Sequence, residues 1–373
     1  MAEPAPGDPA APGAFLEQLT RPAFVLDLRR APGPRPGPLP EPRAAAPAGQ
    51  RPRPAVLLLS RARDAEFGEV ARLLRRVGVP CFRIDADDLP AAGLRLDPGR
   101  GLVHLDGRWV IPAVTWLRHF SARAVEPATG PAQVFAQDSW AAAADGLAEV
   151  SAVTVGFHRP GLVAQLRLAA RHGVRVPRTC VSTDPAQLAG QFTGPRVIVK
   201  ALHRHFVEAA PGLLTGVFPV IMTLAELSAQ PPLGVPVVVQ EYVEHQAELR
   251  VYHVGGQLHG FRIGKRSPAD LWLDPARVTA EPVPLSPAVA GAAETLASAS
   301  GLRYGAFDFL VQAGEPVFLE VNVDGDWRWI EHETGTSPVS EAAAVLLHGL
   351  YQAQLPATGG RAEPFSLLNF LAG

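Results

Sequence analysis

Apolar positions along the chain follow two periods, one typical of strands and one typical of helices. The continuous apolar run at residues 56–59 predicts a strand that is covered on both faces, because a strand with one solvated face would alternate. Helical spacing follows over residues 66–76 and ends at Gly78, and residues 79–85 predict the next strand. A strand, a helix and a second strand in this order indicate a small α/β domain.

A second unit with mixed helices and strands begins near Phe157. Helical periodicity predicts helices at residues 136–150, 161–172, 184–192, 287–300 and 339–351. Apolar runs and turn residues predict strands or hairpins at residues 102–110, 114–118, 197–200, 235–242, 249–263 and 304–322. We therefore predict an α/β (α+β) fold in four parts: an extension at 1–54, an N-terminal α/β domain at 55–150, a central subdomain at 151–245 and a C-terminal subdomain at 246–373.

The N-terminal extension differs in composition from the rest of the chain, since proline is interspersed with alanine, glycine and arginine from Ala31 to Pro54. Proline lacks a backbone donor and fixes φ, so we predict a disordered or extended linker here. A short apolar island precedes the linker, at residues 15–19 and 24–26. Three interpretations stay open for it: residual hydrophobicity in a tail, a start codon placed too early, or a docking segment.

Composition and charge exclude several classes of protein. Hydrophobic residues make up 47% and charged residues 19%, which is typical of a soluble globular protein. The net charge of −2 favours neither nucleic acid nor a membrane surface as a partner. No apolar run approaches the ~20 residues of a membrane helix. The two isolated cysteines, Cys81 and Cys180, predict no disulfide framework, and without a signal-peptide pattern we predict a cytoplasmic protein.

The last predicted hairpin carries three polar side chains among apolar neighbours. Asp308 lies on its first strand, and Glu320 and Asn322 lie two positions apart on its second. Because side chains alternate along a strand, Glu320 and Asn322 leave the same face, where a carboxylate of the neighbouring strand can join them. Oxygen ligands on one sheet face are what Mg²⁺ takes when it also binds polyphosphate. A solvated polar sheet face is the alternative.

Three further features favour nucleotide chemistry. Lys200 closes the apolar strand 197–199, where its ammonium group can reach a phosphate or extend into solvent. The stretch 237–243 becomes polar at its end and can offer main-chain groups to an adenine. Glu248 and Arg250 share a strand face and suit a ribose and a phosphate or carboxylate, although an exposed charged pair is the alternative.

Other motifs of phosphate, hydrolase or metal chemistry do not occur in the sequence. It contains no Walker P-loop, no GxGxxG fingerprint, no GxSxG elbow and no HExxH pair. His203 and His205 lie two positions apart and could share a strand face, but no third metal ligand stands near them.

The order of these features over residues 197–322 resembles the ATP-grasp superfamily, in which ATP lies between two α+β subdomains. The resemblance implies an ATP-grasp fold with a small N-terminal pre-ATP-grasp domain, and it implies ATP and Mg²⁺ as cofactors. It implies contacts with ATP from Lys200 (phosphates), from Gln240, Glu241, Tyr242 and Val243 (adenine) and from Glu248 (ribose). It implies Mg²⁺ ligation by Asp308, Glu320 and Asn322 and contact with an acyl phosphate from Arg250, with Arg262 as a candidate second clamp.

Three segments narrow the resemblance to ATP-grasp ribosomal peptide maturases, which make graspetides such as microviridin-like peptides. The segments are Trp116-Leu117-Arg118, residues 165–179 and the run Gly325-Asp326-Trp327-Arg328-Trp329-Ile330-Glu331. The resemblance implies a ligase that activates Asp or Glu side chains of a precursor peptide (leader plus core) as acyl phosphates. It joins them to Ser or Thr hydroxyls or to Lys amines. A homodimer is compatible with the superfamily.

Two departures from the family pattern leave alternatives open. The lysine expected just before residues 165–166 is missing, and Arg159 is a candidate replacement. Asp270-Leu271-Trp272 lacks the arginine that relatives tend to carry next. The alternatives are an ATP-grasp ligase with another carboxylate or amine substrate, and a non-catalytic nucleotide-binding partner.

Overall fold

The structure is a computed structural model, and it describes residues 24–27, 51–89, 93–125, 130–203, 206–210, 213–216, 218–265 and 278–358. The strands are β1 (Phe24–Asp27), β2 (Arg53–Ser60), β3 (Cys81–Asp85), β4 (Arg95–Asp97), β5 (Leu102–Leu105), β6 (Arg108–Leu117), β7 (Val153–Val155), β8 (Thr179–Ser182), β9 (Arg196–Ala201), β10 (Phe206–Ala210), β11 (Leu213–Gly216), β12 (Val220–Thr223), β13 (Val237–Glu241), β14 (Ala247–Val254), β15 (Gln257–Gly264), β16 (Thr279–Pro282), β17 (Tyr304–Gln312) and β18 (Glu315–Asn322). The α-helices are α1 (Ala65–Arg76), α2 (Pro131–Val150), α3 (Leu162–Arg171), α4 (Leu224–Ser228), α5 (Pro287–Ser300), α6 (Arg328–Thr334) and α7 (Pro338–Gln354).

The N-terminal sheet has the strand order β3-β2-β6-β5-β4, with β7 beside β6. β2 and β6 form its centre as parallel neighbours, and β2 is buried along most of its length. Asp106 and Gly107 both have positive φ and join β5 to β6, which confirms a hairpin within the predicted range 102–110. The predicted hairpin strand and the predicted strand 114–118 are one element, because β6 runs without a break through Arg108–Leu117.

The predicted boundary between the N-terminal domain and the central subdomain, at residue 150, differs from the structure. β7 pairs in parallel with β6, so Val153–Val155 still belongs to the N-terminal sheet. Helix α3 then packs through Leu166 and Ala169 into the apolar cluster of the C-terminal sheet. Apolar spacing shows that a helix has a buried face but does not show which sheet buries it.

The central sheet has the order β12-β9-β13-β8 and is antiparallel throughout. The predicted strands at 197–200 and 235–242 are confirmed as β9 and β13. The predicted helix at 184–192 is instead a 3-10 helix at Pro185–Gln191. This sheet places Lys200 near the end of β9, opposite Val238 of β13.

The C-terminal sheet has the order β16-β15-β14-β17-β18, and both predicted hairpins are confirmed in it. One face packs against α3 and α5 through an apolar cluster that contains Phe307, Phe309 and Phe318. The opposite face of β14, β17 and β18 carries the polar residues that the sequence analysis singled out.

The N-terminal domain and the C-terminal sheet share one core around Trp116. Its ring centroid lies 5.2 Å from that of Phe67, 5.1 Å from that of Tyr304 and 6.2 Å from that of Trp327. Because aromatic side chains bury a large area each, this core fixes the N-terminal domain against the C-terminal sheet.

A small sheet of order β1-β11-β10 contains Phe24–Asp27, which lies within the extension that we predicted to be disordered or extended. Arg53 and Pro54, predicted as the end of that extension, belong to β2. The difference has a physical reason: backbone hydrogen bonds add an edge strand to a hairpin, and a sequence pattern does not reveal that partner. Residues 1–23 and 28–50 lie outside the described residues.

Candidate functional site

The hairpin of β17 and β18 brings the three predicted metal ligands together. Asp308 and Glu320 are opposite each other across the two strands, and Asn322 follows on the same face. The Asn322 amide nitrogen Nδ2 donates to Asp308 Oδ2 at 3.0 Å and to Glu320 Oε1 at 3.4 Å. Two carboxylates and one amide thus form a compact group, which we call the donor group.

A β-bulge after Asp308 decides which side chains reach this face. Phe309 pairs with Phe318 while Asp308 pairs with Glu320, so β18 carries one residue more than β17 at this point. Phe318 therefore lies in the apolar cluster beside α5, and Glu320 lies with Asp308 on the opposite face. Strict alternation would have put Phe318 and Glu320 on the same face.

Lys200 extends from the central sheet to the donor group. Its Nζ lies 3.6 Å from Glu320 Oε2, and the residue is only 8% exposed. The ammonium group is therefore directed at the hairpin and not into solvent. Where the central and C-terminal sheets meet, the Lys200 ammonium group thus lies close to oxygen donors that are distant from it in the sequence.

Arg250 stands on β14, directly opposite Asp308 on β17. Its Nη1 lies 3.6 Å from Asp308 Oδ1. Burial opposes the charge on Arg250, but the combined attraction of Asp308, Tyr252, Tyr304 and Asp326 raises the Arg250 pKa. Burial raises the pKa of Asp308 to about 6 in spite of Arg250, and Glu320 adds to the rise. The donor group thus holds buried negative charge that a further cation would stabilise.

A cation that the sequence analysis did not single out lies beside Glu248. Lys265 Nζ donates to Glu248 Oε1 at 2.5 Å. Lys265 directly follows β15, the antiparallel neighbour of β14. The sequence contained one signal for Lys265 as a candidate site residue. Like Lys200, it stands at the end of a strand.

The structure does not bring Arg262 to this face. Arg262 pairs with Leu249, and Leu249 pairs with Phe309 on its other side. Leu249 and Phe309 lie in the apolar cluster beside α5, whereas Arg250 and Asp308 face the other way. Arg262 is exposed, and the sheet separates it from the donor group. A difference of one register position is enough to reverse the face of a side chain.

Two of the four predicted adenine residues have their side chains bound to β8 and the segment before it. Gln240 is 2% exposed, and its Nε2 donates to Thr179 Oγ1 at 2.9 Å. The Glu241 carboxylate accepts from the backbone N–H of Arg178 at 3.1 Å. These contacts fix the end of β13, so its backbone is held in place.

The other two predicted adenine residues lie where the central sheet meets the C-terminal hairpin. The Tyr242 ring stacks under the Arg196 guanidinium, 4.2 Å from the ring centroid. Val243 is buried together with Leu310 of β17 and Val317 of β18. The end of β13 therefore borders the same junction that Lys200 and Glu320 bridge.

Arg159, the candidate replacement for the missing lysine, is bound to the loop after β18. Its guanidinium donates to both carboxylate oxygens of Asp324 and to the Leu117 backbone oxygen, the last at 3.3 Å. Burial acts to raise the Asp324 pKa, but the hydrogen bonds from Arg159 and the charges of His119, Arg159 and Arg118 together lower it. Contact between Arg159 and a phosphate stays a prediction.

Arg118 is the centre of a buried ion network that reaches the loop after β18. It is fully buried, and its Nη1 lies 2.8 Å from Asp64 Oδ1 and 3.5 Å from Glu66 Oε2. Its Nη2 donates to Asp326, and its guanidinium lies 4.7 Å from the Trp327 ring centroid. Three carboxylates from the N-terminal domain and the loop after β18 thus surround one cation.

The Trp-x-Trp-Ile-Glu run after this loop has a structural role. Trp327 Nε1 donates to Ser340 Oγ at 2.9 Å. The Glu331 carboxylate accepts from the backbone N–H of Ser340 at 2.8 Å and from its hydroxyl at 2.6 Å. These contacts fasten α6 to the first turn of α7, so the run holds the loop at residues 324–327 in place.

Gly325 occupies a position in this loop that has no room for a side chain. A Cβ atom there would lie 2.4 Å from Ala306 Cβ and 3.2 Å from Arg250 Nη2. We expect Gly325→Ala to lower the free energy of unfolding by about 1–3 kcal/mol, because the loop must shift to avoid the overlap. Gly349→Ala is the control, since open space surrounds that position in α7. Equal stability of the two variants in urea unfolding would contradict this expectation.

The network around Glu66 predicts how stability depends on pH. Burial is the main reason that the Glu66 pKa rises from 4.5 to about 7, against the attraction of Arg118 and with repulsion from Asp326 and Asp64. The folded state therefore holds this proton more tightly than the unfolded state does. Stability is greatest below pH 4.5 for this group and falls as the pH rises to about 7.

We expect Glu66→Gln to remove most of this pH dependence, because glutamine keeps an oxygen for the Trp327 and Arg328 backbone N–H groups that Glu66 now accepts from. The unfolding free energy of the unchanged protein should fall by about 1–3 kcal/mol between pH 5 and 7.5. Two other groups with raised pKa values keep slopes of the same sign in the variant: Asp308, with a pKa of about 6, below pH 6, and His119 above pH 6.5. Urea unfolding at four pH values checks this, and parallel curves for both proteins would contradict it.

A metal-binding cluster of acidic, histidine or cysteine side chains and a membrane-spanning helix are both absent from the part of the chain that the structure describes. No group of three His, Cys, Asp or Glu side chains in that part of the chain is arranged to hold a metal ion. The donor group differs from such a cluster because its third member is an amide. His205, one of the two histidines that lack a third metal ligand in the sequence, lies outside the described residues, as do Asp270, Leu271 and Trp272. Among the helices that are described, none is long and apolar enough to span a membrane.

Known structures share this fold along their whole length. The macrocyclase MdnC from Microcystis aeruginosa MRC, bound with its precursor peptide MdnA, is 22% identical with a TM-score of 0.65, and the match covers 79% of this chain and 100% of that one. The ATP-grasp ligase PsnB, complexed with a minimal precursor, Mg and ADP, is 19% identical with a TM-score of 0.64, over 79% of this chain and 97% of that one.

A third similar structure is a RiPP-associated ATP-grasp ligase from Chryseobacterium gregarium, in complex with ADP and a leader and core peptide. It is 19% identical with a TM-score of 0.57, over 80% of this chain and 97% of that one. No protein-family model and no curated protein matches the sequence. The chain therefore has the ATP-grasp fold, as the sequence analysis predicted.

Proposed function

We propose that this protein is an ATP-dependent ligase that activates Asp or Glu side chains of a ribosomal precursor peptide and joins them to Ser, Thr or Lys side chains. One observation carries the proposal: Lys200 from the central sheet reaches Glu320 on the C-terminal hairpin, which also holds Asp308 and Asn322. This places cations and oxygen donors at the junction of two subdomains. The similar structures that hold precursor peptides and ADP support the same reading.

The donor group suits Mg²⁺ by its chemistry. Asp308 and Glu320 offer carboxylate oxygens, and Asn322 offers an amide oxygen once its side chain turns from its present contacts. The raised pKa of Asp308 indicates surplus buried negative charge, and a divalent cation would reduce it. When bound, Mg²⁺ would supply neutralisation of phosphate charge.

The remaining predicted residues have roles that fit their positions. We assign Lys200 to the phosphates and the backbone at the end of β13, residues 240–243, to adenine. Glu248 is assigned to the ribose, with Lys265 as an additional cation close to the phosphates. Arg250, buried beside Asp308, is assigned to the acyl phosphate. Arg262 has no role in this assignment, because the sheet separates it from the others.

The proposed ligation has two steps. A carboxylate oxygen of the peptide attacks the γ-phosphorus of ATP, and ADP leaves, so that the peptide carries an acyl phosphate. A hydroxyl or amine then attacks the acyl carbon, phosphate leaves, and the nucleophile loses one proton. A carboxylate is a poor acyl donor, so catalysis rests on positioning and on neutralising phosphate charge with this chain's cations.

Trapping with hydroxylamine tests this proposal. With ATP, Mg²⁺ and a precursor peptide, the protein should convert Asp or Glu side chains to hydroxamates, which mass spectrometry locates. Neither an ATP-grasp ligase with another substrate nor a non-catalytic nucleotide-binding protein would form hydroxamates on this peptide. Absence of hydroxamates together with absence of ADP would favour the second of these alternatives.

The partners and the location of the protein follow from the same proposal. A precursor peptide is the main partner, and the cytoplasm, where ATP is available, is the proposed location. A homodimer stays a prediction, which sedimentation of the purified protein would test.

A further inference from the structure

The hairpin of β10 and β11 follows β9, the strand that carries Lys200 of the proposed nucleotide site. It is bound to the N-terminal domain. The Arg61 guanidinium donates to both carboxylate oxygens of Glu208 on β10, at 2.8 and 2.6 Å, and both side chains are largely buried. The hairpin is therefore fixed between the N-terminal domain and the strand of Lys200.

One edge of this hairpin is occupied by a distant part of the same chain. β1 pairs antiparallel with β11 through four successive residue pairs, from Phe24–Gly216 to Asp27–Leu213. β1 belongs to no other sheet in the described part of the chain. Addition of a short extended segment to a free sheet edge is a general way in which proteins bind peptides, because backbone hydrogen bonds supply the affinity.

A stretch of 25 residues separates β1 from β2 in the sequence. When fully extended, these residues, 28–52, could span about 80 Å at ~3.3 Å per residue. A tether of this length keeps the segment at a local concentration of about a millimolar. A peptide in solution must therefore compete with a partner that is always present.

Comparison with MdnC adds a second observation. All of the MdnC chain is matched, whereas about a fifth of this chain has no counterpart in it, and MdnC is bound with a separate precursor peptide. This chain thus carries additional sequence beyond the fold that the two proteins share.

We propose that the edge of β11 is a docking site for an extended peptide, and that Phe24–Asp27 occupies this site as a built-in competitor. The partner that fits is an extended peptide strand that pairs with β11 through its backbone. That this partner is the precursor peptide rests on the proposed function. Occupation in cis makes peptide binding conditional on release of the chain's own segment.

Binding of a labelled peptide tests the proposal with the full-length protein. The probe is a fluorescent synthetic peptide with the sequence of residues 15–30, and the variant carries both Val25→Pro and Leu26→Pro. Proline has no N–H to donate to the ladder, so the variant's own segment should leave the β11 edge. Ala44→Pro is the matched control, because it adds proline between the two strands. We expect the double variant to bind the probe at least tenfold more tightly than the unchanged protein and the control.

Amide hydrogen exchange gives an independent measurement. Those amides of Leu213–Gly216 that point away from β10 should exchange at least tenfold faster in the double variant than in the control. Equal probe affinity and equal exchange in all three proteins would overturn the proposal, and so would failure of the double variant to bind the probe. Neither measurement requires ATP turnover. A failed hydroxamate experiment would therefore reject the ligase activity without deciding whether the β11 edge binds a peptide.

Discussion

Glu320→Ala is expected to lower peptide-dependent ADP release by at least ~100-fold, because it removes a proposed metal ligand and the carboxylate that contacts Lys200. Glu320 Oε2 lies 3.6 Å from Lys200 Nζ, and Glu320 Oε1 lies 3.4 Å from the Asn322 amide. The variant should stay folded, since the change relieves repulsion between Glu320 and Asp308. Steady-state release of ADP with saturating ATP measures the effect.

Glu315→Ala is the matched control for this prediction. Glu315 stands at the other end of the same strand, β18, and its side chain is exposed. The control should keep its activity within about twofold of the unchanged protein. Activity of Glu320→Ala within a few fold of the control would show that the donor group does not bind the metal used in the reaction.

Arg118→Met is expected to lower the free energy of unfolding by about 3–5 kcal/mol, because it leaves three buried or half-buried carboxylates without their common cation. Asp64, Glu66 and Asp326 all contact this guanidinium. Methionine is of similar length and apolar, so the loss reports the missing charge and hydrogen bonds more than missing volume. Urea unfolding at pH 7 measures it.

Arg100→Met is the control for the effect of charge alone. Arg100 is exposed and lies 3.9 Å from Asp97, so the change should cost less than about 1 kcal/mol. Arg118→Lys should restore only part of the loss, since an ammonium group cannot contact three carboxylates in the planar geometry of a guanidinium. A loss below about 1 kcal/mol for Arg118→Met would show that the network does not hold the loop after β18.

The sequence predicted the donor group because the information is local. Asp308, Glu320 and Asn322 lie on one hairpin, and alternation along strands already places two of them on one face. The order of motifs likewise predicted the ATP-grasp fold. What alternation could not predict is the bulge that puts Phe318 and Glu320 on opposite faces, because a bulge depends on the pairing of two strands.

The pattern of apolar and polar residues could not predict contacts between segments that are distant in the sequence. Lys200 was singled out by its place at a strand end, but its approach to Glu320 depends on how two sheets pack. Arg262 was assigned to the site because it is an arginine on a neighbouring strand, and its register with Leu249 puts it on the other face. The pairing of β1 with β11 depends on backbone groups, which every sequence shares.

The intact mass of a precursor peptide after incubation with the protein, ATP and Mg²⁺ tests the central claim most directly. The peptide should be one encoded beside this protein, with Asp or Glu and with Ser, Thr or Lys in its core. We predict the loss of one water for each bond formed, no loss without ATP, and no loss with the Glu320→Ala variant. An unchanged peptide mass, with ADP released or not, would contradict the claim that this site joins peptide side chains.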